Sequence, residues 1–332
     1  MPMSSRPVPR HPVFVVGMPR SGTTLLSRLL GAHPGLVMAP ETHYFTRCWT
    51  GVPVADTADA LRMLDRLFQQ PGVQDMALTP EEKARVRDHV QSAPDPTHGD
   101  VLRALLDTYA ARSGAPAWGE KTPDHLRFVP EMTRQFPEAV VVAIVRDPRD
   151  VCLSLQSMPW SRATLPEQAW TWRTYARLVE QYRHDYEGRF YALRYEDLIA
   201  EPKASLRDVC AFLGTSFQPV MLGEQEEDMT QPFDAEREPW KAKSTRPIDA
   251  SNREKWRTQM PEAERVIVER IAGRWLAANG YARPPTDWRP ALAVQVLRQL
   301  GAAALQWVRR TVHNVWGGHT FSGDAAPRWK NE

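Results

Sequence analysis

An α/β fold on a mainly parallel central sheet is what this sequence predicts, on three observations. Val13-Phe14-Val15-Val16 is a β-branched and aromatic run bounded by Pro12 and Gly17, and Leu25, Leu26, Leu29 and Leu30 follow it at helical spacing. Ala139 to Val145 is the most apolar run in the chain, which is how a central strand buried on both faces reads. Strand-like runs and helical patterns then alternate along the chain, the order that βα units produce.

The first strand and helix are joined by Gly17-Met18-Pro19-Arg20-Ser21-Gly22-Thr23-Thr24. Its two glycines let the backbone bend close to an anion, and the unpaired N–H groups at the helix start point toward it with the positive end of the helix dipole. Arg20, Ser21, Thr23 and Thr24 add donors. The spacing Gly-x-x-x-x-Gly matches a P-loop, but Thr23 stands where an ATP-type loop carries Lys, and the cation appears earlier, at Arg20. The segment Pro-Arg-Ser-Gly-Thr-Thr resembles the phosphosulfate-binding loop of sulfotransferases that use 3′-phosphoadenosine-5′-phosphosulfate, particularly the tyrosylprotein branch. That resemblance implies a P-loop-like three-layer α/β/α fold with helical insertions and phosphosulfate as co-substrate, with no metal.

Pro34 and Gly35 stop the first helix, and Leu36-Val37-Met38 reads as a short second strand. Ala39-Pro40-Glu41-Thr42-His43 follows at the carboxyl edge of the sheet, where open α/β sheets place their ligands. The family has a Glu-Thr pair here, so the resemblance makes Glu41 the general base. Three amphipathic patterns fill Asp56 to Arg112 and name no substrate. Trp118 to Pro123 reads as a strand end and loop, with Asp124 as N-cap of a helix through Phe136. By resemblance Lys121 contacts the sulfuryl group.

The central strand ends in Arg146-Asp147-Pro148-Arg149-Asp150, with Ser154 eight residues after Arg146 on the next helix. From the residues alone this is equally a capping Asp with paired arginines. The resemblance gives Arg146 and Ser154 to the nucleotide 3′-phosphate. Trp170, Trp172, Tyr175 and Tyr182 in the helix about 166–186 are expected to pack. Phe190 to Leu198 reads as a strand and loop, with Tyr195 either near an adenine or in the core, and a helix follows from Pro202 to Leu213. Residues 223–251 form a charged, Pro-interrupted loop, whose Ser244 and Arg246 are candidates for phosphate contacts. A helix from Pro261 to Asn279 closes the domain.

The expected domains are an extension over 1–11, a catalytic domain over 12–283 and a helical extension over 284–332. In the last, Pro290 to Trp316 is amphipathic: Gln295, Arg298, Gln299, Gln306, Arg309, Arg310 and His313 share one side, and Val296, Leu297, Leu300, Leu305, Trp307 and Val308 lie on a broad apolar side. Such a helix docks on its own protein, on a second copy, or on a membrane surface. The 332 residues carry 42 Lys and Arg against 40 Asp and Glu, a net charge of +2 that gives no reason to expect a nucleic-acid partner. Cys48, Cys152 and Cys210 are far apart and in no metal-ligand spacing, so buried thiols in a reducing, cytoplasmic setting are expected. Nothing before the first strand reads as a leader, and no run reaches a spanning length.

The motifs that carry the resemblance run in one order from about Val13 to Tyr281. Ala39 and Gly119 stand where the tyrosylprotein branch carries a cysteine pair, and His43 where it carries an Arg used toward its peptide. These departures leave the acceptor open among small molecules, glycans, lipids and peptidyl tyrosine. The reading is in-line transfer of a sulfuryl group to an acceptor hydroxyl, with Glu41 as base, Arg20 and Lys121 stabilising charge, and His33, His43 and His125 as rival bases. The alternatives are a P-loop kinase or NTPase using Asp147 with magnesium, and a non-catalytic adaptor on the same fold.

Overall fold

Pro12 and Gly17 bound the first of five short runs, of which the first, third and fourth are buried on both faces, and those runs pair into one sheet. The strands are β1 (Val13–Gly17), β2 (Val37–Ala39), β3 (Trp118–Lys121), β4 (Val140–Val145) and β5 (Phe190–Arg194), all parallel, in the order β2-β3-β1-β4-β5. The structure, a computed structural model, describes Pro9, residues 12–223 and residues 247–316, with backbone alone for 312–316. The chain divides into two compact units, residues 1–147 with 174–254 and residues 148–173 with 255–332.

The first unit holds the sheet. Alternation along the strands sends Val13 and Val15 of β1 to one face, among Leu26, Leu29 and Leu30 of α1 (Thr23–Gly31). Phe14 goes to the other, edge-on to Phe45 and Trp118 and tilted against Phe136. Helices α2 (Thr57–Phe68), α3 (Pro71–Asp75), α4 (Pro80–Ser92) and α5 (His98–Ser113) stand where three helical patterns were expected. Trp118 ties β3 to α5 by donating from Nε1 to Asp107 at 2.6 Å. Thr79 and Thr97 open α4 and α5 with reciprocal capping boxes. After α6 (Val129–Gln135) and β4 the chain passes through the second unit by α7 (Pro148–Gln156) and returns within α8 (Leu165–Asp185). Helices α9 (Tyr195–Ala200) and α10 (Pro202–Phe212) then cover the α1 face.

The connection leaving β1 runs toward β2, whereas the chain leaving β4 goes on to β5 on the opposite side. Adjacent strands whose connections diverge open a crevice beyond their carboxyl ends, where ligands of such sheets bind. The loop Gly17 to Thr24 follows β1 and Arg146 follows β4, so both stand at this switch point.

Several local expectations need correction. Asp124 does not cap a continuous helix: a 3₁₀ turn, Pro123–Phe128, precedes α6, because Pro130 has no N–H to continue an α-helical ladder. Tyr195 begins a helix directly after β5 rather than a loop. Trp170 is exposed while Trp172, Tyr175 and Tyr182 are buried, since it falls on the outer side of α8.

The second unit comprises α7, the start of α8, α11 (Trp256–Gln259), α12 (Glu262–Ala272), α13 (Arg274–Ala278) and α14 (Pro290–Trp316). The expected single helix after Pro261 is broken at Gly273, whose backbone (φ 58°, ψ −135°) lies outside the helical region. Cys152, Ala169, Trp256, Met260 and Val268 form the core. Beside it Glu269, fully enclosed, accepts from Arg149 at 2.8 Å and Arg265 at 3.0 Å, and Arg149 lies over the Trp256 ring at 3.7 Å. The three cysteines are reduced and buried. Burial raises the Cys48 thiol to about 12 and the Cys210 thiol to about 11.

Helix α14 packs against α12, and Leu292 is its buried anchor, with Val296, Gln299, Ala303 and Arg310 half-buried on the same side. Arg310 donates to the Arg162 carbonyl at 2.8 Å and pairs with Glu167. The docked side thus takes Val296 from the expected broad apolar side together with Gln299 and Arg310 from the polar one, and leaves most of the apolar side exposed.

Removing the carboxylate shared by Arg149 and Arg265 leaves two guanidinium groups without their buried counter-charge. Glu269→Ala is expected to lower stability by about 3–5 kcal/mol, read as a shift of the denaturant midpoint at unchanged slope.

Candidate active site

Every strand of the sheet delivers a polar group at its carboxyl end. The loop after β1 is held open from below: a Cβ at Gly22 (φ 101°) would stand 2.4 Å from the Tyr195 ring, so only glycine lets the helix start sit on that tyrosine. Arg20 adopts a left-handed backbone (φ 73°), unusual for a residue with a side chain. Its carbonyl accepts from Arg146 at 3.3 Å, and Arg146 also donates to the Asn252 carbonyl at 3.2 Å. The Arg146 guanidinium lies 4.4 Å from the Tyr195 ring centre, and the Tyr195 hydroxyl accepts from Asn252 at 2.7 Å. Tyr195 is thus a support beneath the loop as well as a core residue.

Two cations meet at this strand edge. Burial first, and Arg146 second, pull the Arg20 guanidinium below the usual arginine range, with Tyr195 opposing. Crowded guanidiniums gain most from an anion between them. Ser21 is 1% exposed, and its Oγ has no hydrogen-bond partner among the described residues. A buried hydroxyl without a partner carries an unrecovered desolvation cost that a ligand oxygen would relieve. Thr23 is buried, and Thr24 faces the next group.

Lys121, the last residue of β3, is 2% exposed in its side chain. Its Nζ donates to Glu41, at the end of β2, and to the Thr24 hydroxyl at 3.4 Å. One ammonium therefore spans the carboxylate and the anion loop. A Cβ at Gly72 would fall 2.1 Å from the Glu41 carbonyl oxygen, so the start of α3 is seated directly on the Glu41 backbone.

The segment carrying Glu41 is clamped through Glu120, which has no exposed surface. Its Oε1 accepts from the Thr42 amide at 3.0 Å, the Thr42 hydroxyl at 2.9 Å and the Thr122 hydroxyl, and its Oε2 faces His125 Nδ1 at 3.0 Å. Burial pushes this carboxyl upward, but the His125 ring and the Thr donors outweigh it and hold it below the ordinary range. His43, next in the chain, adopts a left-handed φ of 51° and donates its amide to Thr122 at 3.2 Å.

The rival bases separate on their partners. His125 Nε2 accepts from the Phe45 amide at 3.2 Å, so both its nitrogens are committed inside the protein. His33 is engaged likewise: Nδ1 accepts from Gly35 at 3.0 Å, and Nε2 faces the Ser216 carbonyl and Thr215 hydroxyl, each at 3.2 Å. His43 Nε2 stands 3.5 Å from Glu41 Oε2, and burial lowers its imidazole to about 4, with Glu41 opposing.

Arg20, Ser21, Gly22, Thr23, Thr24, Glu41, Lys121, Arg146 and Tyr195 all stand at the carboxyl edge of the sheet. Ser154 lies half-buried on α7 in the second unit. Ser244 and Arg246 fall outside the described residues. Glu120 and Asn252 were not foreseen. A carboxylate inside a doubly buried strand is the signal that could have found Glu120, since such a charge persists only with partners.

The sulfotransferase family model matches residues 12–219, more than half of the chain. This chain belongs to the sulfotransferase family. Protein-tyrosine sulfotransferase 2 of Gallus gallus is 26% identical over 229 residues, covering 64% of this sulfotransferase and 54% of the chicken protein. The chain spans about half the length of the tyrosine sulfotransferases it matches: for protein-tyrosine sulfotransferase 1 of Danio rerio the figure is 56%. Nodulation protein NoeE of Sinorhizobium fredii is 24% identical over 347 residues, covering 95% of this chain and 75% of that one. Among solved structures, the sulfotransferase domain of the Synechococcus PCC 7002 olefin synthase superposes with a TM-score of 0.61 at 23% identity, covering 84% of this chain and 98% of that one. The P-loop-like α/β fold expected from the loop is thereby shown.

His43 links the site to pH. Its folded value near 4 lies below the ordinary 6.5, so between those values the unfolded chain takes up a proton that the folded one refuses. Stability is expected to fall as pH drops from 6.5 toward 4, by on the order of 2–3 kcal/mol for this group. Denaturation of wild type and His43→Asn across that window should show a shallower fall in the variant.

Proposed function

We propose that this sulfotransferase moves a sulfuryl group from 3′-phosphoadenosine-5′-phosphosulfate to an acceptor hydroxyl. The observation that carries the reading is Lys121, whose one ammonium reaches both Glu41 and Thr24 of the loop. A proton acceptor and an anion cradle lie within one side chain's span, as a transfer between a hydroxyl and a sulfuryl group requires.

The phosphosulfate supplies an activated sulfuryl group on a 5′-phosphate leaving group. The residues present fit it: two crowded guanidiniums, an unpartnered buried Ser21 hydroxyl and the free amides of a helix start all favour an anion. In the overall reaction the acceptor oxygen bonds to sulfur, the bond from sulfur to the 5′-phosphate oxygen breaks, and the hydroxyl proton passes to Glu41. Lys121 and Arg20 hold charge on the sulfuryl and bridging oxygens from positions set before the reaction begins. The Glu120 clamp keeps Glu41 from swinging away. Arg146 is assigned to a phosphate on the ribose 3′ position. Nothing in this arrangement selects among acceptors.

Lys121→Ala is expected to lower turnover about 10²–10³-fold, the usual loss for one preorganised donor, with nucleotide affinity little changed. Glu41→Gln should lose about 10²–10⁴-fold, and wild-type turnover in that variant would move the base to His43.

Calorimetry tests the nucleotide. Charge-assisted bonds to a 3′-phosphate, each worth about 1.5–3 kcal/mol, imply at least about a hundredfold preference for adenosine 3′,5′-bisphosphate over 5′-AMP. The preference should persist without magnesium and shrink in Arg146→Ala. Equal affinities, or a strict magnesium requirement, would favour a kinase-like chemistry.

A further inference from the structure

Among the described residues the outer side of α14 is unpartnered and apolar. Val294, Leu297, Leu300, Leu305, Trp307 and Val308 are each at least 39% exposed, Leu297 as much as 68%. On a helix they share roughly half of the circumference, facing away from the stripe of Leu292, Val296, Gln299 and Ala303 that meets the second unit. Isolated exposed hydrophobics are ordinary, but a continuous strip of them on one helix marks a surface that something covers.

Charge selects the cover. The 27 residues of α14 include Arg298, Arg309 and Arg310 and contain no Asp or Glu. Arg310 is engaged with Glu167, whereas Arg298 and Arg309 are exposed along one border of the apolar strip. A second copy of the chain seated on this strip would bring the same arginines to one seam with no carboxylate of the helix to meet them. An anionic lipid surface meets both features at once, taking the apolar side into the acyl boundary and the arginines at the headgroups. Among the described residues no helix is long and apolar enough to cross a membrane. At about 1.5 Å per residue the 27 residues make a rod of about 40 Å, suited to lying flat.

We infer that α14 docks this sulfotransferase on anionic membrane surfaces through Leu297, Leu300, Leu305, Trp307 and Val308, with Arg298 and Arg309 at the headgroup level. The inference is independent of the chemistry assigned to the active site.

The test is flotation of the full chain with phosphatidylglycerol–phosphatidylcholine vesicles and with pure phosphatidylcholine vesicles, alongside light scattering for solution mass. Recovery with the anionic vesicles, weakened by salt and far lower with the neutral ones, is expected. Arg298→Gln with Arg309→Gln should lower partitioning about 25-fold, at about fivefold per arginine. Leu297→Glu with Leu305→Glu should abolish it at unchanged thermal midpoint, and if that variant fails to fold the arginine variant decides. Equal recovery with both vesicle types, or recovery with neither, overturns the proposal. So does a dimeric mass in solution that the leucine variant abolishes, because the strip would then be covered by a second copy.

Discussion

A carboxylate with no exposed surface, Glu120, sets the terms for the candidate active site. An ionised group enclosed by protein is sustained only where several donors converge on it. Here they come from Thr42, Thr122 and His125. These donors follow two different strands, so satisfying one buried charge also fastens the end of β2 to the end of β3. Glu41 precedes Thr42 and Lys121 follows Glu120, and each of these candidate groups is therefore one peptide away from the clamp. The packing of α3 on the Glu41 backbone closes the remaining direction of escape. The site owes its geometry to a polar network that itself does no chemistry.

On the other side of β1 the support is aromatic. Tyr195 lies under Gly22, and Arg146 lies over the Tyr195 ring while reaching the Arg20 carbonyl. The loop is thus braced from β5 through β4 by contacts that need no ligand. Cation and ring share a surface that also belongs to the core cluster of α1, α9 and α10. Rigidity at the anion cradle and burial of apolar surface are achieved by the same residue.

Much of this was legible in the sequence because strands buried on both faces, loop glycines and a strand-to-helix transition leave strong local marks. The strands and the loop follow from such marks, and Glu41 and Lys121 were each named by motif resemblance, but their pairing was not. Tertiary partners were not legible. Nothing near Glu120 in the sequence announces Thr42, which lies 78 residues away. The docked side of α14 was not legible for a related reason. A helical wheel ranks faces by apolarity, yet small residues at Ala293 and Ala303 and the ion pair of Arg310 with Glu167 decided which side approaches the neighbouring helix. The break at Gly273 and the 3₁₀ turn before Pro130 were missed because periodic apolar residues continue across both.

The pleat of β3 carries one more consequence. Glu120 and Lys121 are neighbours of opposite charge, yet alternation turns them to opposite sides of the sheet, Glu120 toward Thr42, Thr122 and His125 and Lys121 toward Glu41 and Thr24. Val15 stands opposite Lys121 and Ala39 opposite Glu120 in the pairing with β1 and β2. A slip of β3 by one position would exchange the two, putting an acid where the ammonium must stand and an ammonium where a buried acid must be neutralised. The mispaired sheet would be penalised twice by electrostatics before any apolar contact was lost. The charges that build the candidate site therefore also proofread the alignment of the strand that bears them.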